Sequence, residues 1–485
     1  MASAGVSGSP GSLIEAKLAP RLEATLDSTD PSIQRVPVSE GGFLGVDDRL
    51  EATPAWSTGA LGESWFVSAV NAHIGVFPAG GGTVRPGWPV RLRVFEGALP
   101  AGAVESSPRV VYDAYADRFV LAFVGQDKAS KPTRSWIVLA TVRDADADDP
   151  DAWCVRRVAG DQTKNDGEQR PAAPALGFTG DRVTVATDQR GMKGTKFHYA
   201  QVLSFAKGQL YGSCGKLAPK VFANEKTRDP NRERGVGLQP VQTVGGTSPN
   251  VQYLVSFQGT ARGDRLVLWR IRKTAGGYKL ARVSRKVPSA SVAPYGTQRD
   301  GGIGDPDTFW DTGDLRLGPS WFDVDTNRIS TAHAVARAAG DASYVESAIR
   351  WYQLRPEPDL TSSAVSGQGP LFVEDRDLAW PAVATTASGT IVITHSRAGV
   401  LGGGQFLSAY ATDVVGGVVD GTTLLRAGEA RYQAGQGPDP WGGSNAANRD
   451  PSAPSRVAVA NQFAISDGGG ATALWHQWLD VLDPA

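Results

Sequence analysis

The sequence of 485 residues has little of the residue types that most often mark an obvious chemistry. It has two cysteines, two methionines and five histidines, and 49 basic against 50 acidic residues leave a formal net charge of −1. This balance excludes a whole-molecule field that would attract nucleic acid or an anionic membrane. No run approaches the ~18 apolar residues of a membrane helix, so membrane insertion is not expected.

The scarce residues also form no familiar motif. Cys154 and Cys214 belong to no CxxC or Cys/His cluster, which argues against zinc. They fall near the outer strands of neighbouring repeats (described below), and such strands rarely bring Cα atoms within the ~7 Å that a disulfide needs. Two free thiols are therefore favoured over a bridge. There is no HExxH pair, no G-x-S-x-G turn and no P-loop.

The first 34 residues differ from the rest. The opening MASAGVSGSPGSLIEAKLAP lacks the apolar core of a signal peptide. An extracellular or particle-associated location is expected, through a route that needs no such signal or with a signal already removed, and a cytoplasmic location stays open. Apolar residues at helical spacing predict a short helix over Ser12–Leu26 within an N-terminal arm of residues 1–34. These residues are Leu13, Ile14, Leu18, Leu22 and Leu26.

What the sequence has in abundance is a weak repeat in about seven copies, each with an apolar strand that alternates inside and outside. The copies begin at Ala55, Arg109, Pro171, Gln239, Leu315, Trp380 and Asn445. A spacing of roughly 55–75 residues is too long for a solenoid coil and indicates one antiparallel sheet per copy, arranged as blades. The prediction is an all-β, seven-bladed β-propeller of four-stranded antiparallel blades over residues 35–485.

The last copy is one strand short. It ends in TALWHQWLDVL, which reads as a third strand with little chain left for a fourth. A segment near Arg35–Leu44 is therefore predicted to supply the missing outer strand. Such pairing closes the ring and covers a sheet edge that would otherwise be exposed.

Four loops that enter innermost strands are rich in carboxylates and tryptophans, and such loops gather around the central funnel of a propeller. They are residues 165–171, 301–316, 372–381 and 437–443. Asp311, Asp314 and Asp377 are candidate catalytic residues, because glycoside hydrolysis uses one carboxylic acid and one base or nucleophile. The candidate ligand-binding residues are Glu168, Arg170, Trp310, Arg316, Arg376, Trp380 and Trp441, with Asp439 at the same mouth. The alternative is that each Asp caps a turn and each Trp packs between blades.

No cofactor is required by this prediction, although calcium is a candidate. Asp305 and Asp307 in GDPDTFWDTGD are the candidate metal ligands. The acidic run Asp144–Asp149 is less suitable, because it lacks the glycine and glutamate of an EF-hand loop.

Three segments carry a family resemblance. PRVVYDAYADRFV at Pro108–Val120, GDLRL at Gly313–Leu317 and AIRWYQL at Ala348–Leu354 resemble repeats of bacterial sialidase-like β-propeller proteins. The resemblance spans roughly residues 50–485 and implies a propeller of the kind that carries glycosidases, although no Asp box (S-x-D-x-G-x-x-W) occurs.

The leading functional hypothesis is a binding protein whose funnel loops hold a glycan or a protein ligand. The first alternative is a glycan-cleaving, sialidase-like hydrolase that uses paired carboxylates of the funnel. The second is a structural subunit of a secreted or phage-type assembly, with residues 1–34 contacting an assembly partner.

Overall fold

The computed structural model describes residues 36–47, 56–95, 99–127, 134–163, 169–192, 194–301, 306–338, 345–401, 403–435, 437–466 and 474–484. The strands of these residues form six hydrogen-bonded sheets of a β-propeller. Helical structure in the same ranges is limited to single turns. They are Leu92–Val94, Asp144–Asp146, Pro150–Ala152, Lys207–Leu210, Asn224–Thr227, Pro306–Thr308 and Leu360–Ser362. None of these described helices has the length and apolar character to cross a membrane.

The strands follow one another along the chain as successive meanders. The chain begins with β1 (Val38–Ser39) and β2 (Phe43–Asp47). Sheet 1 contains β3 (Ser57–Leu61), β4 (Trp65–Val70), β5 (His73–Pro78) and β6 (Val90–Arg91). Sheet 2 contains β7 (Ala103–Asp113), β8 (Arg118–Asp127), β9 (Ser135–Arg143) and β10 (Cys154–Ala159). Sheet 3 begins with β11 (Gln169–Phe178), β12 (Arg182–Gly191), β13 (Phe197–Ala206) and β14 (Lys220–Ala223). Next come β15 (Gln239–Pro240) of sheet 4 and β16 (Gln242–Val244) of sheet 3.

Sheet 4 continues with β17 (Val251–Phe257), β18 (Arg262–Thr274) and β19 (Gly277–Ser291). Sheet 3 continues with β20 (Trp321–Asp323), β21 (Arg328–Ala338), β22 (Val345–Arg355) and β23 (Ala364–Leu371). Sheet 5 contains β24 (Asp377–Thr385), β25 (Ile391–Gly399), β26 (Gln405–Val415) and β27 (Val418–Arg426). Sheet 6 contains β28 (Ala446–Arg449), β29 (Val457–Ala464) and β30 (Trp475–Asp483), joined by β1 and β2.

Five of the six sheets, namely 1, 2, 4, 5 and 6, are separate blades of four or five strands. Sheet 3 has nine strands, because β16 pairs in parallel with β11 on one side and with β20 on the other. It therefore fuses two four-stranded meanders, β11–β14 and β20–β23. The described strands are thus not divided into the seven separate blades that the repeat count predicts.

The central strands are buried on both faces, because each blade packs between two neighbours. Every residue of β29 is buried, and so is every residue of β8 from Phe119 to Gly125. The predicted alternation of inside and outside residues is wrong for these strands. They consist instead of nearly unbroken apolar runs such as FVLAFV, which is typical of a strand without a solvent face.

The innermost strands all run in the same direction around the central axis. β16 pairs in parallel with both β11 and β20, and a parallel bridge between Trp56 and Ser444 links the entries to β3 and β28. The starts of these strands therefore lie on one face of the ring, which we call the mouth face.

The ring is closed as predicted by the segment near Arg35–Leu44. β1 and β2 pair antiparallel with the C-terminal strand β30, for example Phe43 with Leu479. The Phe43 ring packs on Phe66 and Phe77 of sheet 1, with centroids 6.1 and 5.5 Å away. The predicted helix Ser12–Leu26 and the arm of residues 1–34 lie outside the described residues.

The prediction of two free thiols is wrong. Cys154 and Cys214 form a disulfide with Cα atoms 5.6 Å apart. Cys214 does not lie on an outer strand: it follows the helical turn Lys207–Leu210, in a segment that packs against sheet 2. The guanidinium of Arg156 in β10 holds this segment by donating to the carbonyls of Gln209 (3.0 Å) and Ser213 (3.3 Å).

Candidate functional site at the mouth face

Three innermost strands carry a bulge where they enter the mouth face. The pairing of β7, β11 and β24 with their second strands shifts register there. The residue at each bulge has a left-handed backbone: φ is 55° at Ser107, 48° at Ala173 and 56° at Trp380, and a proline follows each. Such conformations cost about 1–3 kcal/mol in residues other than glycine and gather at functional sites. Bulges also re-aim nearby side chains.

Arg109 follows the bulge of β7 and holds an unused donor. Its Nε donates to the carbonyl of Pro174 (3.0 Å), its Nη2 to that of Gly443 (3.4 Å), and its guanidinium lies 5.3 Å from the ring of Trp56. Its Nη1 is buried and has no hydrogen-bond partner among the described residues. No described carboxylate forms an ion pair with Arg109. Burial lowers the pKa of Arg109 to about 10.

The sequence prediction missed Arg109, although one signal was available. The residue after the corresponding proline is Ala175 in β11 and Ala382 in β24. A charged residue at a repeat position that is otherwise small suggests a role other than packing.

Arg170 and Arg190 are a second group of cations with few partners. They are paired across β11 and β12. Arg170 donates to the carbonyl of Gly194 (3.4 Å) and Arg190 to that of Thr195 (2.7 Å), and neither forms an ion pair with a described carboxylate. Burial lowers the pKa of both; the charge of Arg190 adds to this for Arg170, whereas the carboxylates of Asp188 and Asp314 oppose it for Arg190.

Arg316 joins two carboxylates at the same place. Its guanidinium contacts the Asp314 carboxylate and lies 3.0 Å from Oδ2 of Asp188, whose Oδ1 accepts from the amide of Gly237 (2.9 Å). Although burial disfavours its charge, the two carboxylates raise the pKa of Arg316. The positive charge of Arg316 also lowers the pKa of Arg190, while the carboxylates that contact Arg316 raise it. Asp188, within a central strand, was missed by the sequence prediction.

Asp311 lies in the same entry loop as Asp314 and Arg316. Its Oδ1 accepts from the amide of Gly313 (2.8 Å), and its carbonyl accepts from the indole of Trp380 (2.9 Å). Burial raises the pKa of Asp311, and the charge of Asp314 adds to the increase. The structure therefore brings together Asp311, Asp314, Arg316 and Trp380 of the predicted residues.

Trp310 and Trp441 do not line the mouth, and their predicted contact with a ligand is wrong. They are 0% and 1% exposed. Their indoles donate to the carbonyl of Thr297 (2.9 Å) and to Oγ of Ser396 (3.2 Å). Both rings pack inside the wall that the entry loops form.

Asp377 and Arg376 also form hydrogen bonds within this wall. Asp377 is 2% exposed and accepts from the amide (2.8 Å) and hydroxyl (3.0 Å) of Thr297 and from the amide of Ser347 (3.0 Å). Arg376 donates to the carbonyls of Asp375 and Leu401. A carboxylate that is buried and bonded in this way is unsuited to contact a substrate.

The candidate calcium ligands do not form a cluster in the described part of the chain. Glu168 and Asp305 lie outside the described residues. Asp307 accepts from the amide of Gly437. Within the described ranges, no three Asp, Glu, His or Cys side chains are arranged to hold a metal ion.

The chain was compared with known proteins. No family model and no curated protein matches it. Among solved structures it is similar to the GH93 α-L-arabinofuranosidase of Fusarium graminearum, with 11% identity and a TM-score of 0.40 over 92% of this chain and 97% of that one. It is also similar to an α-L-arabinanase of Penicillium chrysogenum (10%, TM-score 0.33, 64% and 93%) and an endo-arabinase of Bacteroides thetaiotaomicron (13%, 0.31, 64% and 93%). With TM-scores below 0.5, none of these likenesses bears on the activity of this chain.

Proposed function

We propose that the mouth face binds an acidic glycan and hydrolyses one of its glycosidic bonds. The observation that carries this proposal is a set of arginines that form no ion pair with a described carboxylate: Arg109, Arg170 and Arg190. The buried Nη1 of Arg109 and the half-buried guanidinium groups of Arg170 and Arg190 are donors that an anionic ligand would engage through charge-assisted hydrogen bonds. The carboxylate of Asp314, which contacts Arg316, also acts electrostatically on Arg190. The anion site is thereby joined to a pair of carboxyl groups.

The two carboxyl groups have opposite environments, which is what acid and base roles require. Asp311, whose pKa is raised, gives its proton to the leaving glycosidic oxygen as the bond from that oxygen to the anomeric carbon breaks. Asp314, beside the Arg316 guanidinium, accepts a proton from the water that attacks this carbon. The ring of Trp380 provides an apolar surface for a sugar face.

A binding role without catalysis is the second candidate, and one observation favours it. Asp314 already accepts from both the amide and the guanidinium of Arg316. A carboxylate whose two oxygens already accept hydrogen bonds is less available to an attacking water. In that case the arginines hold the glycan and no bond is cleaved.

The test is hydrolysis of 4-methylumbelliferyl glycosides of neutral sugars, glucuronate and sialate. We expect turnover of an acidic glycoside, and a 10²- to 10⁴-fold lower kcat in Asp311→Asn, since a missing general acid costs about that much. Asp264→Asn, on a half-exposed residue of β18, is the control and should leave kcat unchanged. Saturable binding of acidic saccharides without any turnover would favour the binding role. If the protein shows no binding of acidic saccharides and no turnover, both candidate functions are contradicted.

We also propose that the ring has seven blade positions, with the two meanders of sheet 3 counted separately. Each meander has four strands in order, as a blade does. β16 continues the innermost strand β15 after one residue, so its parallel pairs join adjacent blades at the axis.

A further inference from the structure

We infer that Asp439 is a positioning residue: its buried carboxyl group, when protonated, holds in place the segment that carries Asp311. The inference rests on the proposed function for the role of Asp311. It concerns a carboxyl group that takes no part in the reaction itself.

The backbone of Asp439 is bonded to both sides of Trp310. The amide of Asp439 donates to the carbonyl of Phe309 (2.7 Å), and its carbonyl accepts from the amide of Asp311 (2.8 Å). Trp310, between them, is fully buried. A shift of Asp439 therefore moves the backbone of Asp311.

The side chain of Asp439 is buried and only partly bonded. It is 1% exposed, and its Oδ1 accepts from the amides of Ala434 (2.6 Å) and Gly435 (3.2 Å). Its Oδ2 is buried and has no hydrogen-bond partner among the described residues. An ionised carboxylate with a bare buried oxygen is costly, whereas a protonated one is far less so.

The neighbouring charges do not remove this cost. Within the described ranges, the charged and titratable groups next to Asp439 on the elements it bonds to are Asp307 and Asp311 of one loop and Arg431 and Tyr432 of the other. Burial is the largest effect on the carboxyl group, the two amides and Arg431 oppose it, and Asp307 reinforces it. The result is a pKa of about 7 for Asp439.

We call the loops closed when Asp439 is hydrogen-bonded to Phe309 and Asp311, and open when these bonds are broken. The carboxyl group of Asp439 therefore binds a proton more tightly in the closed form than in the open form. If opening returns the carboxyl group to its ordinary pKa of about 4, the open fraction rises tenfold per pH unit between about 4 and 7. Above about pH 7 it is constant, because the carboxyl group is then ionised in both forms. Asp311 is thus held firmly in acid and more loosely near neutrality.

The experiment is amide hydrogen exchange of residues 306–311 in the wild type and in Asp439→Asn, from pH 4.5 to 8. Asparagine has the shape and neutrality of the protonated acid, and it keeps an oxygen for Ala434 and Gly435. We expect the ratio of wild-type to variant exchange rates to be near one at pH 4.5, to rise at least tenfold by pH 7 and then to level off. Asp300→Asn removes a largely exposed carboxylate from the same loops and is the control, so its ratio should stay flat.

A ratio for Asp439→Asn that stays flat across this range would overturn the inference. If the variant does not fold, the test is the exchange rate of residues 306–311 in the wild type, divided by that of β8. If this ratio does not change with pH, the inference is overturned as well. For an active protein, we expect the wild-type kcat to decline towards neutral pH relative to Asp439→Asn. A rising ratio in a protein that hydrolyses no glycoside supports the proton-dependent hold of this segment and contradicts the proposed function.

Discussion

The two sides of the mouth differ in how their principal charged side chains are bonded. On the side of sheet 2 and the first meander of sheet 3, Arg109 and Arg170 donate only to backbone carbonyls and have no ion pair with a described carboxylate. On the opposite side, Asp377 accepts three hydrogen bonds from Thr297 and Ser347. Fully bonded buried groups stabilise a fold, whereas poorly bonded ones are kept where a ligand completes them.

The side that contains Asp377 is the wall formed by the entry loops, which are joined to one another by hydrogen bonds. Gln298 and Tyr432 exchange two hydrogen bonds, at 2.7 and 2.9 Å, between loops 134 residues apart in sequence. Arg431 donates to the carbonyl of Asp300 (2.8 Å) nearby. The wall positions the backbone of Asp311 and Trp380, while Arg109 on the other side has a donor without a partner among the described residues.

The largest expected effect is on the stability of this wall. Asp377→Ala leaves three buried donors without an acceptor, and we expect it to lower the free energy of unfolding by about 3–5 kcal/mol. Denaturant titration measures this, with Asp300→Asn as the control on an exposed carboxylate of the wall, since asparagine tolerates the left-handed backbone of that residue. A loss below about 1 kcal/mol would mean that the wall is not held by its buried carboxylates.

The arginine side should respond in the opposite way. Arg109→Met removes a charge that burial disfavours and that forms no ion pair with a described carboxylate, so we expect thermal stability to be unchanged or higher. Affinity for sialyllactose or a glucuronate-bearing oligosaccharide should fall by about 10- to 100-fold, as for a lost charge-assisted hydrogen bond. Calorimetric titration and thermal melting separate the two effects. Unchanged affinity together with a large loss of stability would show that Arg109 is structural and would remove the contrast between the sides.

How far the sequence could predict these features depends on how local each one is. The closing strand was predictable because the last repeat is visibly one strand short. Asp311, Asp314 and Trp380 come from two entry loops whose composition stands out. Arg109 was missed because its partners lie in other repeats, far along the chain.

Two predictions failed for a related reason. Trp310 and Trp441 lie in loops, but neighbouring loops cover them, and composition does not show which loop lies over which. The disulfide escaped prediction because the segment after β13 turns back onto sheet 2. The repeats in the sequence predict the ring of blades, whereas the composition of the site depends on contacts between repeats that the sequence does not show.

The smallest expected effect tests how tightly the wall holds Trp380. Gly442 and Gly437 both have a positive φ, 77° and 86°, so alanine at either position costs about 1 kcal/mol from backbone strain. A Cβ at Gly442 would press into the Trp380 indole, whereas at Gly437 nothing lies within 4 Å. We therefore expect Gly442→Ala to lose a further ~1–2 kcal/mol by thermal melting, with Gly437→Ala as its matched control. Equal losses would show that the indole shifts freely, and the wall side of the mouth would then be no more rigid than the arginine side.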